Sequence, residues 1–169
     1  VNNRVLLMLN GSVGSYTDNP IVINREDIGM YRDQISNQNP SISPDVLEAA
    51  DIERDFEINF STDDFPELFE IYKLDFPPKS YRDFSSAKKR VLYNTVRNKV
   101  VATANSFVDV VVPNKKYWYT FRTIDVHGNT SNPSEVLQFE MVDTGNYIYP
   151  LIEGYVFPKR DISYTKPMR

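Results

Sequence analysis

The chain has 169 residues, 41% hydrophobic and 13% aromatic, enough to bury a real core and to exclude global disorder. A formal net charge of −4 argues against nucleic acid as the main partner, because phosphate binding needs a concentrated basic surface. With no cysteine, a disulfide scaffold and a cysteine-ligated metal are excluded, and no apolar run approaches the roughly 18 residues of a membrane span.

Residues 1–41 form a first zone. The sequence begins at Val1, which leads us to expect a processed product or the ordered part of something longer, and Val5 to Leu9 is too short for a signal-peptide core. Arg4-Val-Leu-Leu-Met-Leu9 reads as a buried strand, stopped by Asn10-Gly-Ser-Val-Gly14. A second short strand is expected at Ile21-Val-Ile23. Asn24 with Asp27 three residues on has the form of a helix cap, and Ile28, Tyr31 and Ile35 follow at helical spacing. So short a zone should pack against its neighbour or another chain.

Residues 42–143 alternate with period two, as half-buried antiparallel strands do. Phe56, Ile58 and Phe60 share one face of FEINF. Phe69 and Ile71 share one face of the next run, with Tyr72 and Leu74 on the other. Ser106–Val112 and Glu135–Met141 complete the set. The segment from Pro77 to about Val100 reads as a long charged connection with a helical turn around Ser86 to Tyr93. Its basic run, Lys88-Lys89-Arg90, reads as a solvated loop. Loops of such length contact partners more often than they stand idle.

Residues 144–169 carry four tyrosines, one phenylalanine and three prolines without helical or strand period. Prolines hold such a segment extended and remove ladder donors. We expect an arm whose rings dock on another subunit, with Tyr147, Ile148, Tyr149, Leu151, Tyr155 and Phe157 as anchors.

Val111 to Ser134, VVPNKKYWYTFRTIDVHGNTSNPS, carries the most specific pattern. A proline turn, Pro113, precedes Tyr117 by four residues. Tyr119, Phe121 and Thr123 then share a face up to Asp125, a Gly-Asn turn follows, and Asn-Pro-Ser opens the last strand. This resembles the fibronectin type III family over about residues 42–143, with Asn105–Asp109, Phe69–Lys73 and Pro44–Ala49 matching its preceding, third and first strands. The sequence departs from the family at Phe60, which replaces the second-strand tryptophan, and in the long segment to Val100. The resemblance implies an all-β antiparallel sandwich in which Phe60, Ile71, Tyr117, Tyr119 and Phe121 build the core. Tyr117 would lock a corner by bonding nearby backbone. Gly128 supplies the positive φ of the turn, and Pro133 starts an edge strand where no donor is required. Ser43-Pro44 alone would also read as a helix start. The resemblance makes it a strand.

His127 is the only histidine, so a histidine-based metal cluster or a Ser-His-Asp triad would rest on one ring. The intervening turn parts it from Asp125, and we read it as an exposed turn residue. Asp63, Asp64 and Glu67, with Asp51, Glu53, Asp55 and Glu57 upstream, lack calcium-loop spacing and read as a solvated acidic loop. Asn10, Asn59 and Asn129 head glycosylation triplets. Trp118 should point outward between two core tyrosines, either to meet a partner or sugar or to be covered by the N-terminal zone. No catalytic constellation, cofactor motif or metal set emerges. The expected role is a structural module of a virion or similar particle, joined to other protein subunits through loops and arms. An extracellular adhesion or glycan-binding module, using Trp118 and the tyrosines of residues 77–100, is the alternative.

Overall fold

The computed structural model describes residues 3–11, 14–61, 64–93 and 104–159. In chain order the elements are β1 (Arg4–Asn10), β2 (Tyr16–Asp18), α1 (Arg25–Gln38), α2 (Pro44–Ala49), α3 (Ile52–Asp55), β3 (Ile58–Phe60) and β4 (Pro66–Leu74). A 3₁₀ turn at Tyr81–Ser86 follows, then β5 (Lys88–Tyr93), β6 (Ala104–Val110), β7 (Lys116–Asp125), β8 (Leu137–Asp143) and β9 (Ile148–Gly154). The architecture is mainly β with antiparallel sheets. The strands β5-β4-β7-β8-β9 form one five-stranded sheet, and β1-β6 and β2-β3 form two-stranded ribbons.

The five-stranded sheet is apolar on both faces, because its central strands alternate between two sets of large side chains. Ile71, Tyr117, Tyr119 and Phe139 point to a front face, which Val5, Leu7, Leu9 and Phe107 of the β1-β6 ribbon cover. Tyr72, Leu74, Trp118 and Val136 point to a back face, where Ile23, Phe84, Tyr81, Tyr155 and Phe157 pack. A third cluster joins α1 to β3 through Val22, Tyr31, Ile35, Leu47, Ile52, Ile58 and Phe60. Of the residues expected to build one core, Ile71, Tyr117 and Tyr119 are buried together and Phe121 is half-buried beside them, whereas Phe60 is buried in the separate α1–β3 cluster.

Several expectations are corrected. Pro44–Ala49 is a helix, with Ser43 at its N-cap, Pro44 in its first turn and Leu47 buried. The fixed φ of Pro44, suited to a first helical turn, prevails where only Leu47 is buried. Ile21–Ile23 is extended but joins no ladder. Its three N–H groups donate to the side chains of Asn132, Glu53 and Asp27, which take the place of a neighbouring strand. The small second strand is β2, paired to β3. Lys88–Tyr93 is the strand β5 rather than a loop with a helical turn, so the basic run lies in the sheet. The segment expected to be a periodless arm contains β9, which pairs with β8 through a Gly145-Asn146 hairpin turn. Gly145 has φ +85°, which suits a two-residue hairpin with glycine first. Pro133 is buried in an irregular stretch ahead of β8, and β9 covers the edge on which Pro133 was expected to lie. Asp63, Tyr164, Pro167 and the end of the 77–100 segment lie outside the described residues.

Burial of Arg122 ties the layers together. Its guanidinium, 2% exposed, bonds Glu70 directly across the β4–β7 pair and reaches Asp27 of α1 at 2.9 Å. The Asp27 contact lacks the angle of a hydrogen bond, so it is a charge contact. The other Asp27 oxygen accepts the Ile23 and Asn24 N–H groups, and so caps α1. Lys89 of β5 also pairs with Glu70, and the Tyr72 hydroxyl donates to it at 2.7 Å. Burial would raise the Glu70 pKa, but the bonds from Lys89 and Tyr72 and the Arg122 charge outweigh it and hold the carboxyl below its ordinary 4.5. In the same way Lys73 and Tyr119 outweigh burial and hold Asp109 below its ordinary 3.8.

A depressed carboxylate pKa means that the unfolded chain takes up protons first as pH falls. Stability should therefore be level from neutral pH down to about 5 and then fall, most steeply below 4.5, as Glu70 and Asp109 become protonated. Glu70→Gln should lower stability at pH 7 and shallow this acid limb. Urea melts between pH 3 and 7 test it, and an acid limb as steep as wild type in the variant would refute the assignment.

The Tyr117 hydroxyl accepts the N–H of Val112 at 3.1 Å, closing the corner expected between them. Tyr117→Phe should cost about 1–2 kcal/mol. An unchanged denaturation midpoint would show that this bond contributes nothing.

Candidate interaction surface

Two of the six anchors proposed from the sequence, and Trp118 itself, sort differently once β9 is in place. Trp118 is 6% exposed and meets the Tyr155 ring edge-on at 6.0 Å. Tyr155 donates to the Pro78 carbonyl at 3.0 Å, and Phe157 packs on Tyr81 at 4.9 Å. These three residues serve the protein's own back face rather than a partner, because the chain leaves β9 and crosses beneath the sheet. The N-terminal zone contributes to the same cover through Ile23. Tyr147, Ile148, Tyr149 and Leu151 stay exposed at the β8–β9 tip and along β9, Tyr147 at 75%.

A second exposed apolar area was not foreseen. Arg4–Leu9 reads as a buried strand, yet only alternate residues, Val5, Leu7 and Leu9, face the sheet. Leu6 and Met8 face outward, Met8 at 81% exposure, beside the outward Val108 and Val110 of β6. An uninterrupted apolar strand is the pattern of burial on both faces. Among the described residues, this chain covers one.

A polar recess of about 300 Å³ lies between α1, β3 and the β7 turn, lined among others by Tyr16, Gln34, Gln38, Asn59, Asp64 and Asn129. Its amides are largely engaged. Gln34 donates to the Thr130 carbonyl, Gln38 brackets the Asn59 backbone through both amide atoms, and Asn129 donates to Asp125. Tyr16 stacks on Phe60 at 5.0 Å. The recess is a hydrogen-bonded seam between layers.

His127 is exposed at the turn, 3.4 Å from Asp64. Asp125 organises that turn by accepting the N–H groups of His127 and Asn129, and Gly128 takes φ +84°. Upstream, Asp51 caps α3, and Glu53 accepts the Val22 N–H and pairs with Arg82. Among the described residues, no group of three or more histidine or acidic side chains is placed to hold a metal ion. No described helix is long and apolar enough to cross a membrane.

The chain matches no family model, no curated protein and no solved structure.

The turn generates a paired expectation. His127→Ala should leave the melting temperature nearly unchanged, whereas Gly128→Val should destabilise by about 1–2 kcal/mol or more, since a β-branched residue is strained at positive φ. Thermal melts compare them. A silent glycine variant beside a damaging histidine variant would overturn this account of the turn.

Proposed function

We propose that this chain is a non-enzymatic structural module of a larger assembly, a virion or similar multi-subunit particle, built on a fibronectin type III-like β-sandwich. The neighbour order β5-β4-β7-β8 and the corner bond of Tyr117 support the sandwich reading. The helix at Pro44–Ala49 and the β1-β6 pairing are departures from the family pattern.

The observation that carries the assembly reading is the outward face of the β1-β6 ribbon. Leu6, Met8, Val108, Val110 and the adjoining Val112 place five large apolar side chains on one exposed surface. Contiguous apolar patches of this kind mark protein–protein contacts. The exposed rings at Tyr147 and Tyr149 add a second point of attachment. The glycan-binding alternative loses Trp118, which Tyr155 encloses, while Tyr93 stays exposed.

The test is co-fractionation in the native source. The wild-type chain should run in a high-mass complex, whereas a chain with Leu6→Ser, Met8→Ser, Val108→Thr and Val110→Thr should run alone with its folded circular dichroism spectrum retained. A wild-type chain that runs alone, or a variant that incorporates normally, would sink the reading.

A further inference from the structure

Apart from the short β2-β3 ribbon, the sheets have four outer edges among the described residues, and three are visibly protected against pairing with another strand. On β5 the edge carries Lys88, Lys89 and Arg90. On β9 the bond from the Tyr155 N–H to the Val136 carbonyl sets the phase of the ladder, so that Ile148, Pro150 and Ile152 direct their backbone groups to the free edge. Pro150 removes a donor there. On β6 the outward N–H groups of Ser106 and Val110 are taken by the side chains of Asn105 and Asp109, and the Val110 carbonyl accepts from Lys73. Charges, proline and self-satisfied amides are the means by which proteins blunt an edge.

The fourth of these edges, β1, carries one charge, Arg4 at its start, and none of these devices from Val5 to Leu9. The bond from the Val111 N–H to the Asn3 carbonyl fixes its phase, so Arg4, Leu6 and Met8 turn their N–H and C=O groups away from β6. Among the described residues, no hydrogen bond reaches the N–H of Leu6 or Met8. This edge also overlooks an apolar floor. Gly11 at the end of β1 lies against Pro66 and Thr123, and Asp109 of β6 contacts Lys73 and Tyr119, so the ribbon sits over β4 and β7. The front faces of β8 and β9 extend beyond it, and Ile148 and Ile152, opposite Asp143 and Phe139, are exposed there.

The geometry points to a site for one added strand, and we propose that it takes residues 160–169 of a second copy of this chain. This rests on the assembly reading and specifies its contact. A single extended segment fits, but the β1 edge of a second folded copy does not. The β8–β9 floor projects about two strand spacings, roughly 10 Å, past β1, and two such floors would collide. Asp161-Ile-Ser-Tyr-Thr-Lys166 alternates apolar with polar residues, which would set Ile162 and Tyr164 on the floor and Ser163 and Thr165 outward.

Ile162 and Tyr164 of the same copy cannot supply the strand. Phe157 is held against Tyr81 on the back face, so the chain would have to return past β9 and around the sheet. That path is about four strand spacings plus one sheet separation, roughly 30 Å, whereas Ile162 and Tyr164, five and seven residues past Phe157, reach at most roughly 17 and 23 Å when extended. Neither could reach β1. Such donation closes as a dimer when it is reciprocal and builds rings or filaments when it runs head to tail.

The experiment uses the full chain. Sedimentation velocity at rising concentration should show self-association that weakens about tenfold or more in Leu6→Pro, which removes an edge donor, and equally in Ile162→Ser/Tyr164→Ser, which lies outside the described fold. A fluorescein-labelled peptide of residues 159–169 should bind the Ile162→Ser/Tyr164→Ser chain by anisotropy, and Leu6→Pro introduced into that chain should abolish binding. Circular dichroism checks that each variant is folded. A wild-type chain monomeric at every concentration that also ignores the peptide overturns the proposal. So does association that survives Ile162→Ser/Tyr164→Ser. If Leu6→Pro alone blocks entry into the native high-mass complex while the peptide never binds, the occupant is another subunit's strand. The proposal then falls and the assembly reading stands.

Discussion

Arg122 is the constraint around which the layers are arranged. A buried guanidinium is strongly unfavourable unless its charge is met and its donors are used. Glu70 stands directly across the sheet from it, and Asp27 arrives from the first turn of α1. Asp27 is at once the cap of that helix and the partner of a sheet residue, so α1 cannot shift without leaving a charge unmet. Lys89 extends the network to β5. Four elements distant in sequence thus share one electrostatic register.

That register leaves the sheet's two faces unequally covered. Below, helical and irregular segments and the returning chain at Tyr155 and Phe157 enclose Trp118 and Tyr72. Above, a ribbon of two strands must cover a sheet of five, and Val5, Leu7, Leu9 and Met141 are only half-buried. Over β4 and β7 the back face is enclosed within one chain. The front face is the side on which a neighbour gains most apolar contact, which is why the assembly reading rests there.

Much of the sheet was legible in the sequence, because alternation and turn chemistry are local. The runs at Phe69–Leu74 and Tyr117–Phe121 imply strands with two distinct faces. Pro113 with Tyr117 implies a closed corner, and Gly128 a turn. Asn24 with Asp27 implies a helix start. Other local signals were present but outweighed by the resemblance or by composition. Ser43-Pro44 has the form of a helix N-terminus, and Gly145-Asn146 between alternating residues has the form of a hairpin. The second of these would have placed β9 in the sheet and Trp118 beneath Tyr155.

The sequence by itself determined a mainly β chain, the positions of its central strands, the corner at Tyr117 and the turn at Gly128. These follow from side-chain period and backbone preference within a few residues. Only the tertiary structure decided which strands are neighbours, that the basic run Lys88–Arg90 guards an edge, and that Arg122 is buried between Glu70 and Asp27. It alone decided which apolar residues are left over. Leu6 and Leu7 are the same residue type one position apart, and a strand's pleat sends one to the core and the other to solvent. Which of the two faces finds a cover depends on segments far away in the chain.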